Sequence, residues 1–138
     1  MRGIYALTLV ISSILVILTL ATPYFSIDRM NRSFLDYRNA LYQSYLAHDV
    51  EYSLHETISS LRSECLALFS AGEGDKCQAL ADNLFVSLVA AWASNGVAIS
   101  GGGLSVVPTA SGVDVRLSTD LHWQKGKYSG VIPAGYGG

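Results

Sequence analysis

Few side chains in this chain have the type and spacing to do chemistry. His48, Glu51 and His55 stand at i, i+3 and i+7. A helix would put them on one face, where two imidazoles and a carboxylate could hold a divalent metal. The same face carries glutamine and serine, and nothing placed to orient the imidazoles is visible in sequence, so a solvated polar face is the better reading. Asp114 and Asp120 share the polar side of an alternating segment with His122, which stands next to Trp123. Six residues of strand separate the two carboxylates by about 20 Å, too far to work as an acid–base pair. The run Ser100–Gly103 is glycine-rich enough to cradle a phosphate, but it joins two strand-like segments, opens no helix and lacks the lysine of a P-loop. It reads as a hairpin or bulge. No Ser-His-Asp or Cys-His arrangement has a recognisable local context. The expectation is a protein that is not an enzyme, with no cofactor, no catalytic residue and no metal site.

Two covalent modifications are compatible with the sequence. Cys65 and Cys77 flank the stretch "LALFSAGEGDK". In an oxidising compartment the pair could close a hairpin as a disulfide; otherwise they are two small side chains packed between facing helices. Asn31-Arg32-Ser33 is an N-glycosylation sequon, which would require the segment to lie outside the cytoplasm.

Composition narrows the class further. Half of the 138 residues are hydrophobic and only 14% are charged, against roughly 25% in soluble domains, and the formal net charge is −2. Mean hydropathy is +0.32. Basic residues are spread thinly from Arg29 to Lys127 with no stripe and no aromatic interleaving, so nucleic acid is not an expected partner.

The chain opens "MRGIYALTLVISSILVILTLATPYF", with eighteen uncharged residues from Ile4 to Ala21. As a helix these rise about 27 Å, enough to cross a hydrocarbon core. The hydroxyls of Thr8, Ser12, Ser13 and Thr19 can bond back to the helix backbone. The short basic head favours an N-in orientation, although the arginines beyond the run weaken the positive-inside rule. Three fates fit the run: cleavage after Ala21, an uncleaved anchor, or a cut on the cytoplasmic side that leaves the apolar helix in the mature protein.

The third fate rests on a resemblance. Over residues 1–50, the Arg2-Gly3 head, the apolar helix from Ile4, Pro23 near its end and the helix continuing beyond resemble the N-terminus of type IV pilins. Bacterial members carry a glutamate early in this helix and "IYALTLV" has none, so the likeness is to archaeal pilin-like proteins. The resemblance implies a structural subunit whose N-terminal helix is first a membrane anchor and then the packed core of a filament. Ile4, Leu7, Ile11, Ser12, Ser13, Leu15 and Leu18, up to Pro23, would do both jobs. Partners would be membrane lipid and other copies or other pilin-like subunits. The alternative is a membrane-anchored or secreted binding module without catalytic activity.

The elements that follow are predicted from periodicity. From Met30 to Ala71 no proline or glycine interrupts the chain, and Leu35, Tyr42, Leu46, Val50, Leu54, Ile58, Leu61, Cys65 and Leu68 form one apolar stripe of a long amphipathic helix. A break between Ala47 and Val50 fits the pattern as well. Tyr37, Tyr42, Tyr45 and Tyr52 crowd its first half and favour an interface. "SAGEGD" stops this helix, and Asp75 with Gln78 suggests a capping box for a second, apolar one at the centre of the domain. From Gly96 the period becomes two, with "VDVRLSTDLHW" as one half-buried strand and "AGYGG" as a glycine tail. The expected fold is α+β: an anchor over 1–25, then an extracytoplasmic domain over 26–138 whose long amphipathic helix and second helix pack on an antiparallel meander of three to four strands. N-terminal sequencing of native protein separates the three fates. A start at Ile4 is the expected result; Thr22 would identify a secreted protein and Met1 an ordinary anchor.

Overall fold

A computed structural model describes residues 2–137, apart from the side chains of residues 2–8 and 25. Helix α1 spans Arg2–Ser70 and contains Pro23. A 3-10 turn over Gly74–Lys76 leads into α2, Cys77–Ser94. Five strands follow: β1 Ala98–Gly101, β2 Leu104–Thr109, β3 Gly112–Leu117, β4 Leu121–Lys125 and β5 Tyr128–Ile132. The fold is α+β, as the change of period from helical to alternating requires. The chain divides into two compact units, Met1–Tyr42 and Gln43–Gly138, and α1 contributes to both.

Neither Pro23 nor the segment Ala47–Val50 interrupts α1. Proline removes one N–H and so orphans the carbonyl four residues back. That carbonyl belongs to Thr19, and the Thr22 hydroxyl donates to it at 3.2 Å. The hydrogen bond lost at Pro23 is thereby replaced from the neighbouring side chain, and the helix continues.

Within the second unit, Leu46, Val50, Leu54, Ile58, Leu61 and Cys65 of α1 are all buried. Their spacing of four, four, four, three and four residues keeps them on one face. Burying each such aliphatic side chain contributes roughly 1.5–3 kcal/mol, so this stripe is the main support of the unit. Helix α2 packs against β1 and β2. It is not the fully covered centre that its apolar circumference suggests. Cys77, Ala81 and Trp92 are buried, Leu80, Leu84, Phe85, Leu88 and Val89 are half-buried, and Val86 is exposed. The Trp92 indole N–H donates to Ser53 Oγ at 2.9 Å, satisfying the one polar atom that the ring carries into the helix interface.

The capping box is not made. Lys76 takes the N-cap position of α2 without a side-chain bond. Gln78 turns instead to the sheet, where Nε2 donates to Leu104 O at 2.8 Å and Oε1 accepts from Val106 N at 3.1 Å. It thus pairs α2 with the start of β2, a use that outweighs a cap already replaced by the 3-10 turn.

The strands form two antiparallel sheets, β1-β4-β5 and β2-β3. The alternating segment read as one strand is two, β3 and β4, which is why five strands replace the expected three to four. Its buried side is nonetheless continuous: Val113, Val115, Leu117, Leu121 and Trp123 all lie in the core. The break is a corner where the connectors Gly101–Gly103 and Ser118–Asp120 face one another. Gly102 N donates to Asp120 O at 3.0 Å, Ser118 N to Gly103 O at 2.9 Å and Thr119 Oγ1 to Gly102 O at 2.9 Å. Gly102 has φ +79°, and a Cβ there would stand 2.7 Å from Phe85 Cζ and 3.1 Å from a Leu121 methyl. The glycine run is therefore a structural corner.

The "AGYGG" segment is bonded through Gly137. Gly135 N donates to Leu117 O at 2.9 Å, Leu117 N to Tyr136 O at 2.8 Å, and the Arg62 guanidinium to Gly137 O at 3.4 Å. Asp120 holds the turn before it by accepting from Ala134 N at 2.7 Å.

The corner generates a prediction. Gly96 has φ +76° with open space around it, so Gly96→Ala should cost about 1–2 kcal/mol for backbone conformation alone. Gly102→Ala adds overpacking to that cost and should lose about 2–5 kcal/mol. Urea unfolding of the full chain in detergent measures the difference; equal costs would show that Phe85 and Leu121 move aside freely.

Candidate assembly surface

Most of the exposed large apolar side chains among the described residues lie on α1. Near the N-terminus the helix is long and apolar enough to cross a membrane, and none of that stretch is buried inside the chain. A core helix of a soluble protein would be covered by its own chain; this one is bare. Ile11, Leu15 and Leu18 are each half or more exposed, and Ser12, Ser13 and Pro23 are exposed too. Ile4 and Leu7 have side chains outside the described residues. The hydroxyls of Ser12, Ser13 and Thr19 donate to the carbonyls of Leu9, Val10 and Val16 at 2.9–3.1 Å. Their protons are thus engaged within the helix, which lowers the cost of placing them in lipid. Toward a neighbouring helix Ser12 and Ser13 offer small size and acceptor lone pairs.

Beyond Pro23 the exposed apolar residues take a pattern that sequence reading missed. Ile27, Met30, Phe34, Tyr37 and Leu41 are spaced three and four apart and are 40–72% exposed. At about 100° per residue they occupy an arc of about 80°. Leu9, Val16 and Leu20 extend the same line toward the N-terminus. Asp28, Arg29, Arg32 and Asp36 lie on the opposite side, with Arg32 and Asp28 paired at 3.2 Å. Ser26, Ser33 and Ala40 border one edge of the line, while Asn31 and Arg38 border the other. In two parallel copies the larger edge of one helix would meet the small edge of the next, with no like charges opposed. The signal was a heptad hidden behind the mixed aromatic crowding. Of the tyrosines, Tyr37 is on this line, and Tyr45 and Tyr52 are exposed at the same helical phase, whereas Tyr42 is exposed but lies off it.

Leu35 and Tyr42, read as the start of the core stripe, are not buried: each is close to half exposed. Only from Leu46 onward does the stripe have the sheet and α2 to cover it. Asn31 is exposed, and a glycan there would stand beside Ile27 and Phe34. Glycosylation and helix packing along this line would compete for the same space.

The remaining candidates are placed as follows. His48, Glu51 and His55 are exposed along α1, with the His48 ring 6.4 Å from that of Tyr52. Among the described residues no three potential metal ligands are gathered together. Asp114 pairs with Arg116, and Asp120 holds the C-terminal turn, so the two carboxylates have separate structural tasks. An open groove of about 870 Å³ runs beside Tyr52, His55, Glu56, Ser59, Ser63 and Leu84. Cys65 and Cys77 are thiols in the core, with the Cys65 S–H hydrogen-bonded to the Cys77 sulfur. Comparison of the chain with protein families, characterised proteins and solved structures finds no match.

Burial pushes the Cys65 thiol up to about 12, helped by its bond to Cys77 and the nearby charges of Cys77 and Glu64. A thiol held protonated in the fold but ionising near its ordinary value when unfolded adds stability below that value, lost as pH rises toward the folded one. Fully reduced protein should therefore lose stability between pH 9 and about 12. Cys65→Ala should remove that part of the decline, measured by thermal unfolding across the range with reductant present.

Proposed function

We propose that this chain is a structural subunit, anchored by one N-terminal membrane helix and assembling through that helix with further copies or related pilin-like subunits. The second unit then stands outside the cytoplasm, and the assembly is a filament or a membrane-bound array. The single observation that carries this reading is the bare apolar line on α1 that continues past the membrane-length stretch. Lipid can cover Leu9 to Leu20, but it does not cover Ile27, Met30, Phe34, Tyr37 and Leu41 if these rise into water. Those five side chains, 40–72% exposed, would cover one another between two copies as the apolar centre of a small interface. Copies inserted in one bilayer are necessarily parallel and level, which brings like positions together. The resemblance to archaeal type IV pilin-like proteins over residues 1–50 supports the same role.

The open groove beside His55 and Glu56 favours one other reading, a membrane-anchored binding module without catalytic activity. The two readings part on assembly. Native protein cross-linked in membranes should give species larger than a monomer. Met30→Glu with Phe34→Glu should reduce them at least tenfold, while Ser12→Leu with Ser13→Leu should reduce them and leave membrane insertion intact. If native protein stays monomeric and cross-links to nothing, the structural reading fails and the binding module takes its place.

A further inference from the structure

We infer that Cys65 and Cys77 are a disulfide site closed during folding: a disulfide donor oxidises the pair before the core shuts, and the buried bridge then ties the end of α1 to the start of α2. The inference depends on the proposed function only in placing this unit outside the cytoplasm.

Three features of the structure support it. The two cysteines sit at the ends of consecutive elements, Cys65 in the last turns of α1 and Cys77 as the first residue of α2. The two side chains are hydrogen-bond neighbours within one buried core cluster, the proximity that a bond of about 2 Å requires. Both are fully buried, at 0% and 1% exposure, with Ala81 beside them in the core at 0%.

The chemistry is thiol–disulfide exchange. One cysteine, its proton lost to solvent, attacks a sulfur of the donor disulfide and releases the donor's other sulfur as a thiolate. The second cysteine, deprotonated in turn, attacks the protein-side sulfur of that mixed disulfide and releases the donor's remaining sulfur. Two protein thiols give up two protons and two electrons, and the donor disulfide becomes two thiols. Both attacks need a thiolate and an open path. The folded protein supplies neither, since both sulfurs are out of reach and Cys65 is held protonated up to about 12. Oxidation therefore belongs to the unfolded or partly folded chain, and the finished bridge is sheltered from reductants for the same reason. The bridge closes a short loop, Leu66–Lys76, and limits the freedom of the unfolded chain. It also fixes α1 to the helix that packs on β1 and β2.

The test uses the full chain isolated from the cell envelope. Denatured with a maleimide and no reductant, it should take up no label, and two labels after reduction; two labels without reductant overturn the bridge. Reduced folded protein given oxidised glutathione should form the bridge at least a hundredfold more slowly than the same chain in urea, and equal rates overturn closure during folding. The Cys65→Ala, Cys77→Ala double variant should unfold about 10 °C below the oxidised protein. A variant as stable as the oxidised protein overturns the stabilising role. Bridged protein that cross-links to no neighbour sinks the assembly reading and leaves the bridge standing, whereas assembled protein with two free thiols does the reverse.

Discussion

Apolar side chains on α1 must be covered, and the rest of the structure depends on how that demand is met. From Leu46 to Cys65 the demand is met inside the chain: one stripe of the helix is closed over by α2 and by the inner faces of the two sheets. From Leu9 to Leu41 the large apolar side chains among the described residues are exposed. A folded chain that leaves so much apolar surface bare on one element is built for another environment or another copy. That contrast, within one element, separates an apolar stripe that is buried from one that is exposed.

The second unit shows how little chain is needed to cover the inner stripe. Two small sheets that meet at a glycine corner contribute their inner faces to the same buried cluster as the helix. The corner exists because Gly101–Gly103 can take left-handed backbone angles exactly where Asp120 and Leu121 press against it on the other side. Polar side chains then fasten the layers at isolated points: Gln78 to β2, Ser53 to Trp92, Asp120 and Arg62 to the C-terminal segment. Each one holds an element in place.

Much of this was legible in the residues before any coordinates. The eighteen-residue apolar run, the switch of period from helical to alternating at Gly96, the buried side of the alternating segment and the bulge-like role of the SGGG run all follow from spacing and residue type. The back-bonded serines of the apolar run follow too, because a hydroxyl in an apolar helix has few other acceptors.

Tertiary structure decided what periodicity cannot distinguish. A stripe of apolar residues has the same spacing whether it is covered or bare, so only the arrangement of α2 and the strands revealed that Leu35 and Tyr42 fall outside the core while Leu46 begins it. The heptad of Ile27, Met30, Phe34, Tyr37 and Leu41 was obscured by neighbouring aromatics until exposure singled it out. Alternation continues across Ser118–Asp120 because the buried face is shared, although the hydrogen bonds change partners there; hence one predicted strand became two. Capping residues were present at Asp75 and Gln78, but Gln78 had a partner on β2 that lies far away in sequence. Local chemistry wrote the elements and the membrane-length apolar run, and long-range packing alone chose which faces would be closed.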